Sequence, residues 1–346
     1  MVPRFLTVPG ALALGAAAGW LAQWLHVPLP WMVGPMVAMA LARIRRVPLR
    51  ELPGGRQAGQ LVIGVALGLY FTPDVGREVL ATGGWMVLLG LAAIGIGYLC
   101  ARVLSRLSGI DLGTAFFASV PGGASEMAVL AERHGASIPH VAVAHSLRIL
   151  LVVVIVPGAL AILGVTGTDA YVPPQPAAAA GGMLILLVLA LAAALVALQF
   201  RVPNAWILGP LAITILLTLN EVYLSAMPGW LSAAGQLLIG LALGARFEPE
   251  FMRAAPRYTG ALLVSIAVAL AAAAGVGFGL AWLSGLNPAT MVVAAAPGGI
   301  AEMCITAKVL KLGVPLVTAF HVTRFVMVVI LTGPIYAWAL RQRTSR

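Results

Sequence analysis

Twelve apolar runs separated by short polar stretches organise the chain. In the first half they fall near 8–25, 29–43, 57–71, 84–104, 111–132 and 139–166, and in the second near 178–199, 203–219, 231–246, 258–283, 288–312 and 315–340. A helix needs about 20 apolar residues to cross a bilayer, so the pattern predicts an all-α polytopic membrane protein. The second and third runs of each half are short and punctuated by Gly and Pro, which predicts tilted, broken or re-entrant segments there.

The runs repeat. "GQLVIGVALGLYF" from Gly59 returns as "GQLLIGLALGARF" from Gly235, 176 residues on, with nine identities in thirteen positions. "VPLPWMVGP" from Val27 returns as "VPNAWILGP" from Val202, "PGGASEM" from Pro121 as "PGGIAEM" from Pro297, and "HSLR" from His145 as "HVTR" from His321. The chain therefore reads as two repeats, 1–175 and 176–346, joined by the polar linker "TGTDAYVPPQP".

Charge adds orientation. The basic loops of the first half are Arg43–Arg56 and Arg102–Arg106, whereas the matching loops of the second, "NEVYLSAMPG" and "SGLNP", hold no Lys or Arg. The second half carries its cations at Arg201, Arg246–Arg257 and Lys308/Lys311 instead. If basic loops face the cytoplasm, the two repeats lie upside down relative to one another. Inversion needs an odd number of crossings per repeat, so one segment in each must fail to cross. The fifth, which holds the PGG break, and the sixth are the candidates. That leaves about ten full crossings, with Arg4 and the Arg341–Arg346 tail both on the cytoplasmic side. Inverted repeats with matched interruptions predict a transporter fold with its site near the midplane.

Composition agrees with the bilayer and narrows the chemistry. The chain is 61% hydrophobic and 9% charged with a mean hydropathy of +1.01, too greasy for a soluble core. Its net charge of +10 is scattered through short loops, not gathered on one face, which argues against a nucleic-acid partner. Cys100 and Cys304 lie far apart in apolar segments and form no metal or redox motif. Val8–Leu25 resembles a signal peptide, but its counterpart at Ala178–Leu198 is mid-chain, so it reads as a retained first helix. HExxH, Walker A and GxSxG patterns are lacking, and His134, His140 and His145 have no suitably spaced thiolate or carboxylate co-ligands. The expectation is a non-enzyme without cofactor or metal.

The candidate site is the duplicated break: Pro121, Gly122, Gly123, Ser125 and Glu126 in one copy, Pro297, Gly298, Gly299 and Glu302 in the other. Pro lacks a donor and Gly permits non-helical dihedrals, so the helix should stop and restart there. The restarted N-terminus presents unpaired N–H groups suited to an anion. A carboxylate inside a membrane segment is costly and needs a partner or a cavity. Glu126 and Glu302 therefore either cap the restarted helix or carry a coupling proton or cation. His145/Arg148 and His321/Arg324 are i, i+3 pairs on one helix face. Each arginine suits an ion pair with a glutamate or recognition of a substrate carboxylate, and each histidine suits either a proton relay or a satisfied buried position. Gln60 and Gln236 suit a pathway lining or a bridge between helices. Trp31 and Trp206, in "PWMVGP" and "AWILGP", suit interfacial anchors or half-helices along a pathway.

With both copies of these motifs in hand, the sequence resembles the AbrB family of duplicated bacterial inner-membrane proteins over nearly its whole length. That family bears the older labels ammonia monooxygenase and regulator of aidB expression, and is distantly like the cation/proton antiporter and anion transporter class. The resemblance implies inverted repeats, discontinuous helices, an inner-membrane location and alternating access, and leaves a homodimer open. It gives the leading expectation: a secondary transporter of a small, anionic solute coupled to H+ or Na+. The alternative is a membrane-embedded ligand sensor that affects gene expression without transport.

Overall fold

The structure, a computed structural model, describes residues 7–168, 178–247 and 249–339. Arg4, most of the linker and the Arg341–Arg346 tail lie outside the described residues. Among the described residues all regular structure is helical. The first repeat contributes α1 (Thr7–Trp24), α2 (Pro30–Ile44), α3 (Gly55–Gly68), α4 (Pro73–Ala81), α5 (Gly83–Ser108), α6 (Leu112–Ser119), α7 (Ala124–Arg133) and α8 (Ile138–Ile162). The second contributes α9 (Ala180–Gln199), α10 (Ala205–Leu219), α11 (Gly229–Ala245), α12 (Pro249–Ala254), α13 (Pro256–Ser284), α14 (Pro288–Ala295), α15 (Ile300–Val309) and α16 (Val314–Ala339).

Among the described residues, six stretches are long and apolar enough to cross a membrane: α5, α8, α9, α13, Gly229–Ala254 and Val314–Trp338. A seventh arises if α3 and α4, bent by 93°, count as one span, while α2 and α10 are shorter apolar helices. The helices follow the apolar runs closely, and the interruption falls in the fifth run of each repeat, between α6 and α7 and between α14 and α15. The sixth runs, α8 and α16, are continuous. Two helices were not visible as apolar runs. Both α4 ("PDVGREVLA") and α12 ("PEFMRA") mix charge with apolar residues, so a search for continuous hydrophobicity passes over them.

The chain forms two compact units, and each draws on both repeats. The first unit comprises Met1–Ala81, Pro157–Phe247 and Cys304–Leu316; the second comprises Thr82–Val156, Glu248–Met303 and Val317–Arg346.

Within the first unit the packing has a matched pattern. Helix α1 packs on α2 as α9 packs on α10, and α2 packs on α11 as α10 packs on α3. The crossing of α3 with α11 maps onto itself under exchange of the repeats. Glycines make these approaches close enough for backbone contact, as membrane helices require when apolar burial alone gives no drive to associate. A Cβ on Gly59 would lie 2.6 Å from the Gly235 carbonyl oxygen, and one on Gly235 would lie 3.3 Å from that of Gly59. One on Gly64 would lie 2.7 Å from the Ile207 oxygen, and the matching Gly240 is as tightly set against Met32. The glycines of "GQLVIGVALG" are therefore helix contacts, not chain breaks. Gln60 and Gln236 flank the Gly59–Gly235 crossing and are half-buried there. Trp31 belongs to a continuous helix; its ring covers Gly19, and its Nε1 donates to Gln23 Oε1 at 2.8 Å.

The backbones of the repeats agree in their unusual residues too. Among the described residues, six of the seven non-glycine residues with positive φ come in pairs 175 apart in sequence: His26 (55°) with Arg201 (55°), Leu29 (53°) with Asn204 (52°), and Arg46 (57°) with Glu221 (60°); the seventh, Lys311 (55°), matches Gly135 (72°). Gly59→Ala is expected to lower stability by about 1–3 kcal/mol, because a methyl group there meets backbone that must move. The check is the melting temperature of the purified protein in detergent, compared with Gly95→Ala, whose new methyl would meet nothing within 4 Å.

Candidate functional site

The second unit holds every break residue and both His–Arg pairs. Its frame is the packed pair α5 and α13, each with a short half-helix laid on it, α6 on α5 and α14 on α13. Both half-helices start alike. The side chain of Asp111 accepts from Thr114 N at 2.7 Å, and that of Asn287 accepts from Thr290 N at 3.1 Å, so each N-terminus is capped by the residue before it. Each then runs eight residues and stops at a proline-glycine-glycine sequence.

The stopped ends present backbone carbonyls with no helical partner, and the arginines supply one. Arg148 Nη1 donates to the oxygens of Ser119 and Val120, both at 3.2 Å, and Nη2 reaches that of Gly122 at 3.5 Å. Arg324 does the same more tightly: Nη1 donates to Ala296 O at 2.6 Å and Nη2 to Gly298 O at 2.8 Å. Both arginines are buried, at 4% and 3% exposure, so their charge faces carbonyl dipoles at the negative end of a half-helix. Of the two readings that the sequence left open for Arg148, an ion pair with a glutamate or recognition of a substrate carboxylate, the first is not what it makes here: its hydrogen bonds go to three carbonyls and His145.

The histidines join the same brace. His145 Nε2 lies 2.9 Å from the Phe117 oxygen and His321 Nε2 lies 3.0 Å from that of Val293. A carbonyl only accepts, so Nε2 carries the hydrogen in both. Nδ1 of His145 then accepts from Arg148 Nη2 at 2.9 Å. A second proton on Nδ1 would set donor against donor, so His145 can relay a proton only by releasing Arg148. In this geometry both histidines hold the break in place. His134 and His140 are engaged elsewhere, the first with Leu130 O and the Tyr336 ring, the second with Ser137 Oγ and the Tyr258 ring. No group of three or more potential metal ligands occurs among the described residues.

The restarted ends explain the rest of the motif. Glu126 and Glu302 are the third residues of α7 and α15. A Cβ placed on Gly123 would land on Glu126 Oε2, and one placed on Gly299 would land on Glu302 Oε2. Each carboxylate is thus folded back over the glycine that opens its helix, the arrangement of a helix-start capping glutamate. The other glycine of each pair makes room for the methionine: a Cβ on Gly122 would lie 2.7 Å from Met127, and one on Gly298 would lie 2.7 Å from Met303. Gly123 has ordinary extended angles (φ −69°, ψ 141°), and none of the four break glycines has positive φ. Glycine is required here for space and not, as the sequence suggests, for non-helical dihedrals: one of each pair makes room for the Glu and the other for the Met of PGGxxEM.

The two copies meet and differ. The Cβ position of Gly123 is 3.3 Å from the ring of Phe325, the residue beside Arg324. The first break is the more open: Ser125 is exposed and Glu126 half-buried, whereas the matching Ala301 and Glu302 are 4% and 6% exposed. The carbonyl acceptors at 117, 119, 120 and 122 were missed by sequence reasoning, because a backbone oxygen carries no side-chain signal.

Comparison with known proteins adds a family. Residues 31–340 match the profile of the AbrB family, described as "Transition state regulatory protein AbrB". The chain is 28% identical over 363 aligned residues to "Uncharacterized protein YhjN" of Bacillus subtilis (strain 168), covering 94% of this chain and 91% of that one. It is 26% identical over 338 residues to "Putative regulator AbrB" of Escherichia coli (strain K12), covering 94% and 93%.

Proposed function

The chain belongs to the AbrB family, and from that premise we propose that it is a secondary transporter working by alternating access, coupled to H+ or Na+, for a small anionic solute. Its binding site is the pair of breaks, and its repeats are inverted in a bacterial inner membrane with both termini cytoplasmic. One observation carries the reading. In a membrane protein with few charges, two matched chain breaks each place a carboxylate over a half-helix N-terminus and a guanidinium at the preceding C-terminus. A folded-back glutamate occupies the place an anion would take, and a solute anion can displace it. Displacement exposes the glutamate to a proton, which links binding to protonation. The symmetric packing of the first unit and the opposed loop charges support inversion.

The printed name of the Escherichia coli relative favours regulation, and a membrane-embedded ligand sensor on this scaffold would bind without moving its ligand. A thermal-shift screen across metabolite classes, at varied pH and Na+, identifies the solute, because a ligand that binds only the folded state raises apparent stability. Uptake of that solute into proteoliposomes then separates the readings. Concentrative uptake driven by a pH or Na+ gradient is expected, and it should be abolished by Glu126→Gln and Glu302→Gln with melting behaviour retained. Saturable binding without flux would overturn transport in favour of the sensor.

A further inference from the structure

Gln60 and Gln236 stand one residue past the glycines of the α3–α11 crossing, at matching places in the two repeats. Both are half-buried, and among the described residues neither amide has a hydrogen-bond partner. Packing does not close off their nitrogen and oxygen atoms, so a water-sized neighbour can reach them. A carboxamide left unpaired in hydrocarbon is costly, which makes the depth and surroundings of these two informative.

Depth follows from the two helices. Gly55 of α3 lies against Leu238 of α11 and Gly59 against Gly235, so α3 and α11 run antiparallel. Beyond the crossing α3 continues from Gly59 to Gly68, and α11 from Gly235 to Ala245 in the opposite direction. At the helical rise these arms are about 14 and 15 Å long. Together they approach the ~30 Å of a hydrocarbon core, and the crossing sits near its middle.

Surroundings follow from position around each helix. On α3, Gly59 turns toward α11 and Gly64 toward α10, and Gln60 stands in the angle between them. On α11, Gly235 turns toward α3 and Gly240 toward α2, and Gln236 stands between those. Ile63 and Leu67 continue the face of Gln60, Ile239 and Leu243 continue that of Gln236, and all four are buried. The chain itself covers these faces, so they are not turned to lipid tails. A polar side chain that meets neither lipid nor a protein partner there meets water.

Charge marks one end of that space. Arg56, half-buried, lies one turn before Gln60 on the same face of α3. Glu51 lies in the field of both Arg56 and Arg246, so cations outnumber acids at that end. We propose that Gln60 and Gln236 form the polar wall of an aqueous path for an anionic solute on the first unit, an inference that rests on the transport reading above. Uncharged carboxamides donate and accept hydrogen bonds without trapping an ion, which suits a surface that a solute must pass.

The test is labelling of Gln60→Cys and Gln236→Cys, one at a time, in the full chain in proteoliposomes; the native cysteines are buried. The probes are two membrane-impermeant methanethiosulfonates, one bearing a sulfonate and one a trimethylammonium, each rate taken relative to that with a free thiol. Val188→Cys, on the exposed apolar face of α9, is the control for hydrocarbon. Both test cysteines should label about tenfold faster than the control or more, because only a wet thiol ionises. The sulfonate should be preferred about threefold or more, and adding Arg56→Gln should remove the preference at Gln60→Cys. Melting should match the wild type, since no hydrogen bond is lost. Labelling as slow as the control would overturn the aqueous path, and equal rates or preference for the ammonium would overturn its assignment to an anion. A lowered melting temperature would reveal a structural amide and overturn it too. The rates are read without solute, so their failure leaves the breaks standing as a site, whereas full labelling in a protein without flux sinks transport alone.

Discussion

Arg324→Ala is expected to destabilise the protein by about 3–6 kcal/mol, the sum of two charge-assisted hydrogen bonds to buried carbonyls at about 1.5–3 each. Those bonds, at 2.6 and 2.8 Å, close the C-terminal end of α14 just before the chain breaks. Without them the oxygens of Ala296 and Gly298 face an apolar interior with no water to take the place of the guanidinium. Arg148→Ala should cost less, because its carbonyl contacts lie at 3.2–3.5 Å. Lysine should rescue neither fully, since one ammonium cannot span two carbonyls as a planar fork does. The ranking is read from urea or thermal unfolding of the purified proteins. Equal losses at the two positions would contradict a brace whose strength follows its geometry.

Gly123→Ala is expected to reduce solute uptake about tenfold to hundredfold while leaving the fold nearly unchanged, a loss typical of a displaced functional group. The angles at Gly123 suit alanine, so the backbone bears little strain. The new methyl would instead occupy the space of the Glu126 carboxylate and force it off the helix start. Gly299→Ala should act likewise on Glu302, with a larger stability cost because Glu302 is 6% exposed and has less room to swing. Gly122→Ala serves as the contrast: it meets the Met127 side chain, not the glutamate, so packing should suffer more than uptake. Measuring melting and initial uptake rates on the same preparations separates the two effects. Wild-type uptake in Gly123→Ala would remove the folded-back carboxylate from the mechanism.

Much of this was legible in the chain. Apolar runs placed the long helices to within a few residues, since a span announces itself by length and hydropathy. The duplicated PGGxxEM motifs located both breaks, and the D-x-x-T and N-x-x-T starts of α6 and α14 are side-chain caps visible in sequence. Long-range assembly was not legible. Two repeats read as consecutive blocks fold into units that each take pieces of both, because packing depends on which faces meet. The arginines illustrate the same limit. An arginine inside an apolar segment suits a carboxylate, yet both arginines donate to backbone carbonyls, which any residue type can supply. The glycines gave a correct position for an incomplete reason. Proline and two glycines mark a break, whereas the need for two glycines comes from the Glu and Met that fold back over them.

The central claim is that the first break is where the solute binds, and Ser125 offers the most direct measurement. It is exposed beside Glu126, while the native cysteines, Cys100 and Cys304, are buried. Labelling of Ser125→Cys with a soluble maleimide, in proteoliposomes and over a range of solute concentrations, reports occupancy of that break. Protection that saturates at the same solute concentration as uptake is the predicted result. Labelling that proceeds at one rate with and without saturating solute would contradict the claim.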